Sequence, residues 1–159
     1  MEDMPEPALD PDDLAERLAE VYLLVGPLYR RVLRLVEHDG ASQGVSAGVR
    51  AVLDLLRRNG EMTVPQMGRA QSLSRQFVQR TVDEAAGSGL VELVDNPAHR
   101  RSRLVALTAR GRETIGEIVR REHAQLREVG GGLSGADVDA CTKVLTGMLA
   151  ALDDVEVRS

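Results

Sequence analysis

The feature that most limits the fold is a long apolar stripe near the start of the 159-residue chain. Its members alternate at intervals of four and three residues, and they are Leu14, Leu18, Val21, Val25, Leu28, Val32 and Leu35. This spacing places them on one side of an α-helix, in the heptad pattern of helices that pair. We therefore predict a disordered lead-in over residues 1–11, a helix over residues 12–38 and a loop from Gly40 to Gly44. The stripe requires a second apolar surface, and a second copy of the chain is its commonest source.

Signals for helix ends divide most of the remaining chain into further helices. Asn59 and Gly60 end a second, apolar-striped helix. Thr63 has the outline of a capping box with Gln66 and starts a short third helix. Ser74 caps a fourth helix, which continues to Ser88 and ends at Gly89. Two C-terminal helices follow. Thr108 is the predicted cap of the first and Ser134 that of the second, and Gly130–Gly132 separate them.

Between the fourth and fifth helices the spacing changes to that of β-strands. Residues 90–94 and 103–107 form two short strand-like runs around a turn with several arginines, and we call this predicted hairpin the wing. Two short helices followed at once by a basic hairpin are typical of a winged helix-turn-helix. We predict a mainly α fold, with a winged helix-turn-helix lobe over residues 45–107. Long dimerisation helices flank it, the C-terminal ones over residues 108–157.

The charge of the chain is unevenly distributed. The net charge is −5, but the segment from Arg57 to Arg112 holds ten arginines and five acidic residues, which gives +5. The other residues hold ten basic and twenty acidic side chains, which gives −10. A basic centre between acidic ends is compatible with nucleic-acid binding through one region. The chain has only two Tyr and one Phe, which disfavours a protein that stacks single-stranded bases on aromatic rings.

The predicted fourth helix separates apolar from polar residues. Val78, Val82 and Ala85 fall on one side, and we expect that side to pack. The polar residues at its start and on its other side are the candidate DNA-binding residues, namely Ser74, Arg75, Gln76, Gln79 and Arg80. Glutamine suits the N6/N7 edge of adenine, and arginine suits the O6/N7 edge of guanine or a phosphate. An α-helix fits the major groove, so this face predicts readout of double-stranded DNA, although any surface helix has a polar face.

Three arginines at and just after the tip of the wing complete the predicted interface. Arg100, Arg101 and Arg103 lie within four residues and are expected to reach an adjacent minor groove. A positively charged turn kept for solubility is the alternative interpretation. Asp83 is expected to orient an arginine, and Phe77 either touches a thymine methyl or packs against the third helix.

The stretch from Val49 to Gly111 resembles the core of the MarR family of bacterial regulators. The matching segments are the start of the recognition helix, the turn into the wing, the wing arginines and a Leu-Thr-x-x-Gly entry to the next helix, namely Leu73–Arg80, Gly89–Val91, Arg100–Arg101 and Leu107–Gly111. The family usually has Asp at the position of His99, where it pins the wing arginine that matches Arg101, and a histidine cannot form the same bridge. The resemblance implies a homodimer, joined through its terminal helices, that represses from an inverted-repeat operator.

Many proteins of this family bind small aromatic or phenolic effectors in a cleft beside the dimer helices. Tyr22, Tyr29 and His38 are the candidate effector-binding residues on that basis, and helix packing is the alternative for the tyrosines. Cys141 is the only cysteine, and we expect it to be a buried small hydrophobe, with a redox switch as the alternative.

Other classes of function have less support in the sequence. We find no phosphate loop, no nucleophile elbow and no metal-ligand spacing, so we predict no enzyme activity, cofactor or metal. A winged helix that binds another protein stays open as an alternative. No segment has the length of a membrane span and the N-terminus is acidic, so a cytoplasmic location is expected.

Overall fold

The computed structural model describes residues 8–99, 101–129 and 131–156, and these ranges contain six helices and one two-stranded sheet. The elements are α1 (Pro11–Gln43), α2 (Ala47–Asn59), α3 (Val64–Gln71), α4 (Arg75–Gly87), β1 (Val91–Val94), β2 (Leu104–Leu107), α5 (Ala109–Val129) and α6 (Gly135–Glu156). The predicted mainly α fold with a hairpin after the fourth helix is confirmed. The chain divides after Val119 into two compact units. None of the helices in these ranges is long and apolar enough to cross a bilayer.

The start of α1 is capped by an acidic side chain. Oδ1 of Asp10 accepts hydrogen bonds from the backbone N–H groups of Asp12 and Asp13, at 3.0 and 3.1 Å. The bonds from Asp13 hold the pKa of the Asp10 carboxyl below its usual value. Most of the predicted lead-in, residues 1–7, lies outside the described residues.

The end of α1 lies later than predicted. The expected loop from Gly40 to Gly44 is wrong for all but its last residue, because the helix continues to Gln43. A glycine inside a helix costs only about 1 kcal/mol relative to alanine, so Gly40 weakens the helix without ending it. Gly44 ends it, with a φ of 67° that other residues rarely adopt.

The heptad stripe of α1 lies largely on the surface of the chain. Leu28, Val32 and Leu35 are 59%, 48% and 45% exposed. Leu18 and Val21 are half-buried. A continuous apolar strip of this length is typical of a surface that meets another macromolecule. The predicted dimerisation of this helix stays a prediction.

The apolar core of the first unit joins the middle helices, the hairpin and the start of α5. Its most completely buried side chains are Val52, Leu53, Met67, Val78, Val82, Val105, Ile115 and Ile118. Full burial of one such side chain contributes about 1.5–3 kcal/mol, so this core holds α4 firmly in place. α4 passes close to α2 at Gly48, where a Cβ would lie 3.3 Å from Cγ2 of Thr81.

Side-chain caps set the ends of the short helices, as predicted. Thr63 and Gln66 form the capping box of α3, in which the Thr63 N–H donates to Oε1 of Gln66 at 2.8 Å. Oγ of Ser74 accepts the N–H of Phe77 at 3.2 Å and starts α4. Beyond α4, Gly89 takes a φ of 70°, which confirms its predicted role after the last turn.

The two strands form a hairpin that is held on both edges of β2. β1 and β2 are antiparallel, with Val91 opposite Leu107 and Val94 opposite Leu104. On the other edge, the backbone of Val105 exchanges hydrogen bonds with that of Met62, at 2.8 and 3.2 Å. The base of the wing is therefore fixed to the segment before α3.

The entry to α5 is packed against the start of β1. Oγ1 of Thr108 donates to the carbonyl of Gly89 at 2.8 Å and accepts the N–H of Gly111 at 3.0 Å. The Thr108 N–H donates to the carbonyl of Leu90 at 3.1 Å. A Cβ on Gly111 would lie only 1.9 Å from that Leu90 oxygen. Only glycine fits at this position without a shift of the backbone.

In the second unit, α6 begins at the predicted cap. Oδ2 of Asp137 accepts the hydroxyl and the N–H of Ser134, at 2.6 and 2.8 Å, and these bonds lower the pKa of Asp137. The prediction that Cys141 is buried is wrong for the described chain, in which this residue is exposed. The reason is that the apolar residues near it on α6, such as Val138 and Val144, are exposed as well and do not enclose it.

We predict that Gly111→Ala lowers the free energy of unfolding by at least about 2–3 kcal/mol, because the new methyl group overlaps the Leu90 carbonyl. Gly87→Ala is the matched control, since a Cβ there meets nothing within 4 Å. The control should change the free energy by less than about 1 kcal/mol in either direction. Urea denaturation of both variants at one protein concentration measures the difference, and equal stabilities would contradict the close approach.

Candidate nucleic-acid interface

α4 has a packed side and an outward side, divided as the sequence predicts. Val78, Val82 and Ala85 are 0–1% exposed. The candidate DNA-binding residues of this helix all point away from that core, with Gln79 half-buried and the others exposed, namely Ser74, Arg75, Gln76 and Arg80. Their contact with DNA stays a prediction. What the structure adds is that a rigid core fixes the direction in which they project.

The outward side chains of α4 have defined partners. Nε2 of Gln79 donates to Oδ1 of Asp83 at 2.9 Å, so Asp83 orients a glutamine and not the arginine we expected. The guanidinium carbon of Arg80 lies 5.3 Å from the centre of the Phe77 ring, within the range of a cation–π interaction. These side chains line a shallow depression of about 580 Å³ along the helix, with the polar members Arg75, Gln76, Gln79, Arg80 and Asp83.

Phe77 occupies the edge of the packed side and is 39% exposed. The far end of its ring, Cζ, lies 3.9 Å from the position that a Cβ on Gly48 would take, so the ring leans toward α2. We expected packing against α3 or contact with a thymine methyl. Both stay predictions, and the ring also lies beneath the guanidinium of Arg80.

The wing is held by its own hydrogen bonds. A guanidinium nitrogen of Arg103 donates to the carbonyl of Leu93 on the opposite strand. Across the loop, Nδ2 of Asn96 donates to Oγ of Ser102 at 3.3 Å, and its Oδ1 accepts the N–H of Ala98 at 3.0 Å. The loop therefore has side-chain supports of its own, while His99 takes the place of the aspartate that usually pins the wing arginine in the family that the sequence resembles.

The three wing arginines do not share one environment. Arg100 lies outside the described residues. Arg101 is exposed, and the described part of the chain gives it no hydrogen bond or ion pair. Arg103 is exposed too, but its guanidinium is engaged by Leu93. Of the described pair, Arg101 has its whole guanidinium available for an outside partner, whereas Arg103 donates from one nitrogen to Leu93.

Asp54 reduces the positive charge that the sequence places in this region. It is 7% exposed. Its Oδ1 accepts a hydrogen bond of 2.9 Å from Arg57, and its Oδ2 forms an ion pair with Arg58 at 2.9 Å. The single carboxylate offsets only one of these two positive charges within α2, so the three side chains together keep a net charge of +1. The arginines' spacing of three and four residues from Asp54 is the sequence signal that our count of charges missed. Among the other arginines, Arg75 and Arg80 lie on the outward side of α4 and Arg101 is exposed on the wing.

The candidate effector-binding residues lie on the surface of α1. Tyr22 and Tyr29 are 65% and 64% exposed, and His38 is also exposed. The single chain does not enclose the tyrosines, so their predicted role stays a prediction. Within the described ranges, no three His, Cys, Asp or Glu side chains come together in a way that could hold a metal ion.

Comparison with known proteins agrees with this geometry. The sequence model of the MarR family matches residues 43–102. A solved MarR family transcription regulator is 30% identical, with a TM-score of 0.76 over 93% of this chain and 98% of that one. An uncharacterized protein of Mycobacterium tuberculosis is 31% identical over 89% of this chain and 95% of its own length.

A further solved relative is BpsR of Bordetella bronchiseptica, whose DNA binding is regulated by 6-hydroxynicotinic acid. It is 25% identical, with a TM-score of 0.67 over 80% of this chain and 91% of that one. The similarity to these three proteins covers 80–93% of this chain.

We predict that Arg103→Ala loosens the wing. Loss of one net hydrogen bond of about 1 kcal/mol should raise amide hydrogen exchange in β1 and β2 about fivefold. Arg101→Ala, which removes the same charge two residues away, should leave that exchange unchanged. Mass spectrometry of the exchanged peptides reports both variants. Equal exchange in the two variants would show that Arg103 does not brace the hairpin.

Proposed function

The chain belongs to the MarR family of transcription regulators, and from that premise we propose that it binds a specific operator in double-stranded DNA as a homodimer. The observation that carries the proposal is the outward side of α4, where Gln76, Gln79 and Arg80 project from a rigidly packed helix beside an arginine-bearing hairpin. DNA binding by the related BpsR supports it.

Readout of bases follows from the chemistry of these side chains. A helix of this diameter enters the major groove, where glutamine pairs with adenine and arginine with guanine. Arg80 reaches the groove with its guanidinium already placed by the ring of Phe77. The start of α4, with Ser74 as its cap, adds a partial positive charge that favours a phosphate.

The wing contributes a second contact. Arg101 is exposed near the tip and suits the negative potential of a narrow minor groove. Arg100 is its neighbour in sequence and belongs to the same proposed contact. Arg103 supports the hairpin through Leu93, and its other N–H donors belong to the same proposed contact.

Dimerisation explains the exposed stripe of α1. A second copy of the chain supplies an identical apolar surface, and two-fold pairing is the commonest arrangement. Two copies of α4 would then lie in successive major grooves, about 34–36 Å apart, which matches an inverted repeat. The predicted dimerisation helices over residues 12–38 and 108–157 belong to this proposal.

Regulation is the least direct part of the proposal. We propose a repressor that a small aromatic or phenolic effector releases, and the regulation of BpsR by 6-hydroxynicotinic acid supports that chemistry. Tyr22, Tyr29 and His38 are the candidate effector-binding residues. The two phenols lie on one side of α1 and suit an aromatic ligand, whereas His38 lies on the opposite side at 100° per residue. A coupling of about 1–3 kcal/mol between the two ligands is typical.

We predict that Arg80→Ala weakens binding to a duplex selected from random DNA by about 5- to 150-fold, since one good base contact supplies about 1–3 kcal/mol. Arg127→Ala, an exposed arginine at the end of α5, is the charge-matched control and should bind normally. Fluorescence anisotropy over a range of salt measures both. The slope of log affinity against log salt should be about −0.9 for each phosphate contact. Undiminished binding by Arg80→Ala would remove that residue from the interface.

We also predict that Leu28→Glu yields a monomer, because it places a charge in the heptad stripe. The fold of the single chain should persist, since Leu28 is 59% exposed there. Leu23→Glu is the control, because Leu23 is also exposed but lies on the opposite side of α1 at 100° per residue. Sedimentation velocity distinguishes the two, and a dimeric Leu28→Glu protein would contradict pairing through this stripe.

A further inference from the structure

Gln79 and Asp83 form a pair on the outward side of α4, one helical turn apart. The bond of 2.9 Å runs from Nε2 of Gln79 to Oδ1 of Asp83. Gln79 is half-buried and Asp83 is exposed, so the pair lies at the rim of the helix packing and faces the depression described above. Nothing in the core of the unit requires either side chain.

The carboxylate decides which way the Gln79 amide faces. An ionised carboxylate only accepts hydrogen bonds, so it selects the NH₂ end of the amide and repels the oxygen end. Oε1 and the second N–H of Gln79 therefore remain for an outside partner. An adenine edge requires one acceptor and one donor from glutamine, and this orientation offers both. Because the side chain is already held, it loses less rotamer freedom on binding.

The charge of Asp83 has a second consequence. Arg75 and Arg80 lie nearer the start of α4, whereas Asp83 places a negative charge further along the same exposed face. A phosphate near that charge is repelled whatever the base sequence. Among base edges, a free carboxylate oxygen is suited to the N4 amino group of cytosine. Asp83 therefore disfavours sequence-independent binding and favours a narrow choice of bases.

From these observations we propose that Asp83 is a specificity-determining residue, which sets the base preference of α4 by orienting Gln79 and by repelling phosphate. The inference rests on the DNA binding proposed above and deepens it. Asp83 need not add affinity. Its predicted effect is to lower binding to duplexes of arbitrary sequence more than binding to the operator.

Three variants separate orientation from charge. Asp83→Ala removes both the acceptor and the charge, while Asp83→Asn removes the charge but retains an oxygen that can accept from Gln79. Glu84→Ala removes one negative charge from the neighbouring exposed position of α4 and leaves the bond intact. Both positions are exposed, so none of the three variants disturbs the core.

The test uses the full-length protein and a duplex selected by it from random DNA. Each base pair of that duplex is replaced in turn, and the affinities of the wild type, the variants and Gln79→Ala are measured at one salt concentration. We expect Gln79→Ala to reduce discrimination about tenfold at one or two base pairs. Asp83→Ala should reduce discrimination at those same pairs several-fold and should raise affinity for duplexes of arbitrary sequence. Asp83→Asn should raise that affinity too but lose less discrimination than Asp83→Ala, because its amide oxygen can still accept from Gln79 although its NH₂ group can also donate. Glu84→Ala should keep the discrimination in full.

Some results of this test would refute the specificity role of Asp83, and another would refute the proposed function. If Asp83→Ala changes affinity for every duplex by one common factor, the residue acts through charge alone and the specificity role is refuted. An equal loss of discrimination in Glu84→Ala would refute it too, because that residue does not touch Gln79. If the wild type selects no duplex from random DNA, the proposed function itself fails, and that result is distinct from either outcome.

Discussion

The end of α4, the start of β1, the end of β2 and the start of α5 meet where Gly111 packs against the segment that begins at Gly89. The rest of the candidate nucleic-acid interface depends on this contact. The last turn of α4 connects through the N–H of Leu90, which donates to the carbonyl of Ala85 at 3.0 Å. Thr108 then ties the end of β2 and the start of α5 to the Gly89 and Leu90 carbonyls. The absent side chain at Gly111 permits this contact. These contacts set the direction of α4 relative to the wing. The outward polar side chains of α4 do not contribute to that direction.

Local signals in the sequence predicted most of the fold because caps and turns act over a few residues. Thr63 with Gln66, Ser74, Gly89 and Ser134 all occupy their predicted places at helix ends. The prediction failed where the signal was ambiguous, as at Gly40, which a long helix tolerates. It also failed for Cys141, whose burial depends on a covering surface that periodicity alone does not supply.

The candidate site was predictable in composition but not in its internal contacts. The outward residues of α4 follow from helical spacing alone. The bond between Arg103 and Leu93 requires the strand register, and the placement of Arg80 over Phe77 requires the rotamers of both side chains. The pairing of Asp54 with two arginines was readable from spacing, yet counting charges concealed it. The net charge of a region therefore does not show which of its arginines are free to bind an outside partner.

The division of α4 into two sides also bears on how such a protein diversifies. Val78 and Val82 carry the stability of the helix, while Gln76 and Arg80 contribute almost nothing to the core. Substitutions on the outward side are therefore nearly free of thermodynamic penalty. A duplicated copy of this gene could drift toward a new target while its scaffold stays intact. In α4, changes of target therefore fall on the outward residues, while the packed residues preserve the fold.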